Sequence, residues 1–307
     1  MRSSFSQHRG VMTLLIGVIA ISFAAPLFKL SQPTHPLIAA ATRLSLAASL
    51  WLCIMIISDQ RLSFEERQAR AVRRRAQLNT ALLGGLCYAL HFGAWVWSLG
   101  LTSVIASATL VTTTPIMLGL IGLMSGHDQP SGRLMLSGTV ASLGVIGFCL
   151  QAPSDGSGAL VGDLLALLGA LAMVPYLLLT RRLSDRLEIT HFSVVTTTMG
   201  ALTLWVSAAF SLETEVLTLP SGTALYALIA AALIPQLIGH SALTLSLRRF
   251  TPTEVGLATL LEPIGASLLA WLWLDEGLSY NACLAALITL VGVTIALPSS
   301  ILSSKAR

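Results

Sequence analysis

The sequence predicts an all-α polytopic membrane protein with ten transmembrane helices arranged as two inverted five-helix repeats. Three observations carry this prediction. Of 307 residues, 54% are hydrophobic and 10% charged, and the mean hydropathy of +0.80 lies outside the soluble range. Apolar runs of about 20 residues, enough to cross a bilayer core, recur ten times along the chain. Landmark residues also recur at a nearly constant offset: Pro26 and Pro175, like His91 and His240, are 149 apart, and Pro115 and Pro263 are 148 apart.

In chain order the spans read as 11–29, 36–58, 78–98, 103–124, 134–151, 160–180, 191–211, 223–247, 253–274 and 279–297. The first run, Val11 to Phe28, is too long for a signal-peptide core and lacks a small-residue cleavage site, so it reads as a retained span. Between the second and third spans lies DQRLSFEERQARAVRRRAQ, Asp59 to Gln77, expected as a topology-fixing loop with a short surface helix. With the N-terminus inside, sixteen of the eighteen Lys and Arg residues fall in inside segments, leaving Lys29 outside and Arg43 within a span. The outside loops carry Asp155, Asp163, Glu213, Glu215, Asp275 and Glu276. The positive-inside rule thus predicts a cytoplasmic (inner) membrane protein with both termini cytoplasmic, its +4 net charge reflecting topology and not nucleic-acid binding.

Each predicted repeat, 1–151 and 152–307, holds five spans. An odd number sends the second repeat into the membrane from the opposite side, the plan on which many secondary transporters alternate access around a midplane site. The sequences Thr34-His35 and Thr190-His191, before spans 2 and 7, echo the same duplication.

Polar residues inside spans are costly unless they face a cavity or a partner. In span 3, Gly84, Tyr88, His91, Trp95 and Ser98 recur at spacings of three and four, and in span 8 so do Gln236, His240 and Thr244. Two such stripes suit a solute cavity, while interhelical hydrogen bonding is the competing explanation. Trp97, off the stripe, reads as an interface anchor, and Lys29 as a surface anchor. Arg43 lies about 9–10 Å into span 2. It can bind a substrate carboxylate or pair with an acid, or it can snorkel to the surface or cap carbonyls. Glu262 is the one carboxylate deep in a span, suited either to proton coupling or to a structural hydrogen bond beside Pro263. Thr112-Thr113-Thr114 before Pro115 either lines the cavity or satisfies loosened backbone, and Tyr176 after Pro175 and Ser22 before Pro26 face the same choice. His91 and His240 lack the spacing of a metal motif, and Cys53, Cys87, Cys149 and Cys283 sit in apolar runs without a metal or disulfide framework. No catalytic residue, metal or cofactor is predicted.

The stretch GHSALTLSLRRFTPTEVGLATLLEPIGASLLAWLWLDEGLS, Gly239 to Ser279, resembles helices 8 and 9 of EamA-type members of the drug/metabolite transporter superfamily. GDLLALLGALAMVPYLLLTRRL, Gly162 to Leu183, is similar to that family's helix 6, and HPLIAAATRLSLAASL, His35 to Leu50, to its helix 2. The end of helix 4, SGHDQPS, departs from the pattern around Asp128. The resemblance implies a secondary transporter with a central cavity lined mainly by helices 1, 3, 4, 6, 8 and 9. The expected function is export of a small amino-acid-like or related organic metabolite by alternating access, with proton coupling through Glu262 in view. Uptake, drug efflux and, more remotely, an intramembrane enzyme built on the Tyr88/His91 stripe are the alternatives. The expected partners are a small solute and the lipid bilayer, with a homodimer left open. A polyphosphorylated solute would call for several cations in the cavity, and Arg43 is the one available.

Overall fold

A chain surrounded by hydrocarbon must satisfy its backbone internally, and here it does so with helices. The computed structural model describes residues 2–125, 131–149, 157–183, 186–211, 213, 218–275, 277 and 279–296, among which there is no strand. The helices are α1 (Arg2–Ile21), α2 (Ala24–Leu30), α3 (Pro36–Gln60), α4 (Phe64–Leu101), α5 (Val104–Val111), α6 (Thr114–Ser125) and α7 (Gly132–Cys149). They continue as α8 (Ser157–Leu183), α9 (Ile189–Ser211), α10 (Gly222–Ala231), a π-helical stretch Ala232–His240, α11 (Ser241–Ser246), α12 (Pro252–Thr259), α13 (Glu262–Leu274) and α14 (Tyr280–Ala296).

Among the described residues, eight continuous or end-to-end helices are long and apolar enough to cross a membrane: Arg9–Leu30, Pro36–Gln60, Phe64–Leu101, Val104–Ile121, Gly158–Leu183, Ile189–Ser211, Gly222–Ser246 and Pro252–Leu274. The fifth and tenth predicted spans appear among the described residues as the shorter apolar helices Gly132–Gly147 and Cys283–Ile295. Asp128, Glu276 and the acidic loop residues Asp155 and Glu215 lie outside the described residues.

One sequence expectation is corrected. The Asp59–Gln77 segment is not a separate surface helix, because from Phe64 onward it runs unbroken into the third span as the 38-residue α4. Ser63 starts it with a capping box shared with Glu66, the acidic first turn suits the helix dipole, and no proline interrupts it before Leu101.

Small residues set how closely the helices approach. α4 packs along α8 and α9, α3 along α9, and α1 along the π-helical stretch and α11. α7 and α14 pair antiparallel: Ser137 donates to the Gly292 carbonyl at 2.7 Å, and Arg133 Nε to the Ile295 carbonyl at 2.6 Å. A Cβ on Gly292 would fall on the Ala141 backbone, and one on Gly144 on Thr289. This pair is a close-contact seam of the small-residue kind that membrane helices use.

The cations gather at one end of the bundle. Arg249 lies against Gly10. Arg181 donates to the Leu247 carbonyl and Arg248 to the Leu187 carbonyl. Next to them, Arg74 grips Asp59 with two nitrogens, at 2.6 and 2.8 Å, and reaches Glu188 with Nε at 2.7 Å. Gln77 holds both backbone groups of Glu188 at 3.1 Å, so the start of α9 is tied to α4 and to the end of α3. Burial opposes ionisation of Glu188, but the hydrogen bonds from Arg74 and Thr190 outweigh it and hold the carboxyl below the ordinary glutamate range.

Two tests follow from this packing. Gly292→Val should destabilise the α7–α14 seam by about 1–3 kcal/mol, seen as a lower melting temperature in detergent and a smaller monodisperse fraction. Because the folded-state pKa of Glu188 is depressed, its contribution is complete at neutral pH and is lost as pH falls through and below the ordinary value of 4.5. The melting temperature should therefore fall more steeply with acidification in the wild type than in Glu188→Gln; parallel pH curves would refute the Arg74–Glu188 contribution.

Candidate functional site

Four interruptions in the helices converge on one region, and proline chemistry explains them. Pro26, Pro115 and Pro263 each stand in the first turn of a new segment, α2, α6 and α13, after a two-residue break. A proline has no amide hydrogen and leaves the carbonyl four residues back without its donor. For Pro115 that carbonyl is Val111, and the Thr114 hydroxyl takes it at 3.3 Å while also reaching the Ala170 carbonyl at 3.2 Å. Thr112 bonds the Ala108 and Thr109 carbonyls, both at 2.9 Å, and Ser22 bonds the Val18 carbonyl at 3.0 Å. The threonines satisfy loosened backbone and, in the case of Thr112 and Thr114, also line a cavity. Pro235 acts differently, lying within the π-helical stretch, whose wider turn carries Gln236 and His240. Pro175 leaves α8 continuous, so the Pro26–Pro175 correspondence seen in the sequence does not extend to a helix break.

The walls are built on α4 and α8. A Cβ at Gly169 of α8 would press on the His91 carbonyl and the Trp95 Cβ, both at 3.2 Å, so glycine permits the close approach. The Gly169 carbonyl lies 2.9 Å from His91 Nδ1. A carbonyl only accepts, so Nδ1 carries the proton and Nε2 is left for other partners. Tyr88 donates to the Tyr176 hydroxyl at 3.1 Å, and Tyr176 shares a 2.9 Å hydrogen bond with Thr244, a chain that links α4, α8 and α11. The His240 ring stands edge-on to Tyr88, Phe92 and His91, with centroids at 5.7, 5.2 and 6.5 Å.

Beside them lies a cavity of about 60 Å³, room for roughly four waters. Of the residues singled out in the sequence, His91, Trp95, Thr112, Thr114, Tyr176, His240, Thr244 and Glu262 line it. Tyr88 and Gln236 line a smaller neighbouring void of about 10 Å³ that shares Tyr176, His240 and Thr244 as a dividing wall. Arg43 borders neither cavity. It is fully buried, donates from Nη2 to Gln236 Oε1 at 2.8 Å, and lies 4.3 Å from the centre of the Phe92 ring and 5.2 Å from that of Phe28. The snorkelling alternative is therefore out. Glu262 is 8% exposed and faces the cavity without a hydrogen-bond partner among the described residues. It lies within electrostatic reach of Arg43 but not in ion-pair contact with it.

Trp97 stays at the periphery, 38% exposed and edge-on to His35. The sequence reading missed Phe28 and Phe92, which have no polar atom to mark them in an apolar run. It also missed the Gly169 carbonyl, since any helical glycine has one. Pro235 inside span 8 was the available signal for the π-helical stretch.

Comparison with known proteins agrees with this architecture. Residues 160–297 match the family model described as the EamA-like transporter family. A solved protein, described only as a crystal structure of a protein, superposes with a TM-score of 0.70 over 94% of this chain and 97% of its own, at 14% identity. That likeness is one of fold. No curated protein matches the chain in sequence.

The cavity assignment implies that removing the Tyr176 hydroxyl breaks the wall between the two voids at its centre. Tyr176→Phe should lower the melting temperature by the equivalent of about 1 kcal/mol while leaving expression intact. An unchanged melting curve would mean that the Tyr88–Tyr176–Thr244 chain contributes nothing.

Proposed function

We propose, on the premise that the chain belongs to the EamA-like transporter family, that it exports a small amino-acid-like or related organic metabolite across the cytoplasmic membrane by alternating access. The carrying observation is a central cavity with a mainly apolar lining into which a few polar side chains project. It draws His91, Trp95 and Thr112 from one half of the chain and Tyr176, His240 and Glu262 from the other, so that relative movement of the halves remakes it.

In this reading the molecule is two inverted five-helix repeats, 1–151 and 152–307, with α7 and α14 as their fifth spans. Reciprocal packing supports it: the first span meets the eighth as the third meets the sixth, and the second meets the eighth as the third meets the seventh. Inversion requires such exchanged pairs. The cluster of Arg74, Arg181, Arg248 and Arg249 supports reading that end as cytoplasmic under the positive-inside rule, and in this reading both termini are cytoplasmic. The outward direction of transport rests on resemblance to exporting members of the family. A single guanidinium in the bilayer core favours a solute of low charge over a polyphosphorylated one.

Glu262 is the proposed proton carrier. It faces the cavity on the first turn of α13 and holds no structural hydrogen bond that its protonation would disrupt among the described residues.

Loss of a preloaded amino-acid and metabolite mixture from proteoliposomes tests the reading, with and without an imposed pH gradient. His91→Ala and Gln236→Ala should each slow solute loss about tenfold or more at undiminished expression. Normal transport by both variants would remove the cavity assignment. An acidic outer solution should accelerate loss from wild-type vesicles, since inward proton flow drives outward solute flow, and Glu262→Gln should be indifferent to it. A pH response retained in Glu262→Gln would assign the proton elsewhere.

A further inference from the structure

Arg43 is a charge that the protein has removed from water and left largely unanswered. It has 0% exposure in the second span. Of the five N–H donors of a guanidinium, one is used, and on the neutral amide oxygen of Gln236. Among the described residues, Nε and Nη1 have no hydrogen-bond partner. Tyr88 and Glu262 are near enough to be felt but are not bonded to it, and the rings of Phe28 and Phe92 lie against it. A second buried donor without a partner, Trp95 Nε1, belongs to a side chain packed on the same two rings, with centroids 5.7 Å from Phe28 and 6.3 Å from Phe92. Donors without acceptors in a low-dielectric interior are costly and call for an explanation, of which an acceptor supplied by a ligand is one.

The surroundings give that acceptor ways in. Gln236, bonded to Arg43, lines the smaller void, and Trp95 lines the central cavity. At the end of the bundle away from the clustered cations, a third cavity of about 240 Å³ is lined by Ser31, Gln32 and Thr34, with Phe28 and Ala39 among its apolar residues. Ala39 is one helical turn from Arg43 on α3. The guanidinium is thus set between three cavities, behind Phe28, Trp95 and Gln236.

We propose that Arg43 is the docking point for a carboxylate on the transported solute, taken up across the guanidinium edge beside or in place of the Gln236 amide oxygen, with Trp95 Nε1 as an auxiliary donor. The assignment rests on the transport reading above and narrows it to solutes bearing a carboxylate. A carboxylate supplies the missing charge and accepts two N–H bonds in the planar geometry that guanidinium presents. One cation answers one negative charge. The side chains around Arg43 then carry selectivity: Gln236 holds the guanidinium in place when no solute is bound, and Phe28 separates it from the far cavity.

The test uses proteoliposomes of the full-length protein preloaded with the twenty common amino acids together with their carboxamides and the corresponding decarboxylated amines, with loss of each followed by mass spectrometry. Wild type should release at least one amino acid tenfold or more faster than its own amide and amine. Arg43→Gln should abolish that preference, and Arg43→Lys should keep it at a reduced rate. Gln236→Glu provides an internal carboxylate: it should raise the melting temperature by pairing with Arg43 and slow release of the preferred amino acid at least tenfold. This variant keeps the proposal testable if Arg43→Gln fails to fold, because an internal carboxylate on Arg43 should erase the preference for the amino acid over its amide and amine, whereas loss of a Gln236 contact alone would slow all three alike. Release of solutes without preference for the carboxylate, preference retained in Arg43→Gln, or full transport by Gln236→Glu would each overturn the assignment while leaving the transporter intact. Release of nothing by wild type would overturn the amino-acid reading and this inference together.

Discussion

Backbone hydrogen bonding in a medium without water is the constraint on which this structure depends. A helix satisfies it everywhere along its length, so an interruption survives inside the bilayer only where side chains or a water-filled space take over the freed groups. The breaks at Ser22-Phe23, Thr112-Thr113 and Leu260-Leu261 and the π-helical stretch at Ala232–His240 are such interruptions. Thr112, Thr114 and Ser22 take up carbonyls beside two of them. The cavity is therefore a consequence of where the helices break as much as of which side chains line it. Three prolines and a π-helix bring four weakened segments together, and those are the places where the backbone can change shape at least cost.

The periphery follows the opposite rule. α7 and α14 meet through glycine and alanine with backbones nearly touching, tied by Ser137 and Arg133 to the carbonyls of the partner helix. At the cationic end, Arg74 joins Asp59 and Glu188 in a network that links α3, α4 and α9. Each such ion pair at a partly exposed site contributes little alone, but the bidentate grip and the Gln77 bonds to the Glu188 backbone make it a fixed joint. Rigid seams at the edge and broken helices at the centre are the division of labour that the proposed alternating access would use.

Much of this was legible in the residues themselves. The apolar runs located the helices because a span must be apolar for its whole length. The spacing of Tyr88, His91 and Trp95 placed them on one face because a helix repeats every 3.6 residues. The Ser63 capping box was also in plain view, but its consequence was not: whether a polar helix stops at the membrane surface or continues into the next span depends on the absence of a breaker across 38 residues. Local pattern alone did not say so. The fates of Pro26 and Pro175, equivalent by offset, diverged for a similar reason, since a proline kinks or breaks a helix according to what packs against it.

The sequence by itself determined that this protein lives in a membrane, that it is helical, which side chains are polar within the spans, and which end of the bundle collects the cations, because each of these follows from composition and period along a single chain. Only the tertiary structure decided what those polar side chains meet. It set His91 on the Gly169 carbonyl, joined Tyr88 to Tyr176 and Thr244, and left Glu262 facing the cavity. It placed Arg43 on Gln236, 193 positions away, between two phenylalanine rings that carry no mark in the sequence. Burial and partnership are properties of helices brought together from distant parts of the chain, and no local pattern encodes them.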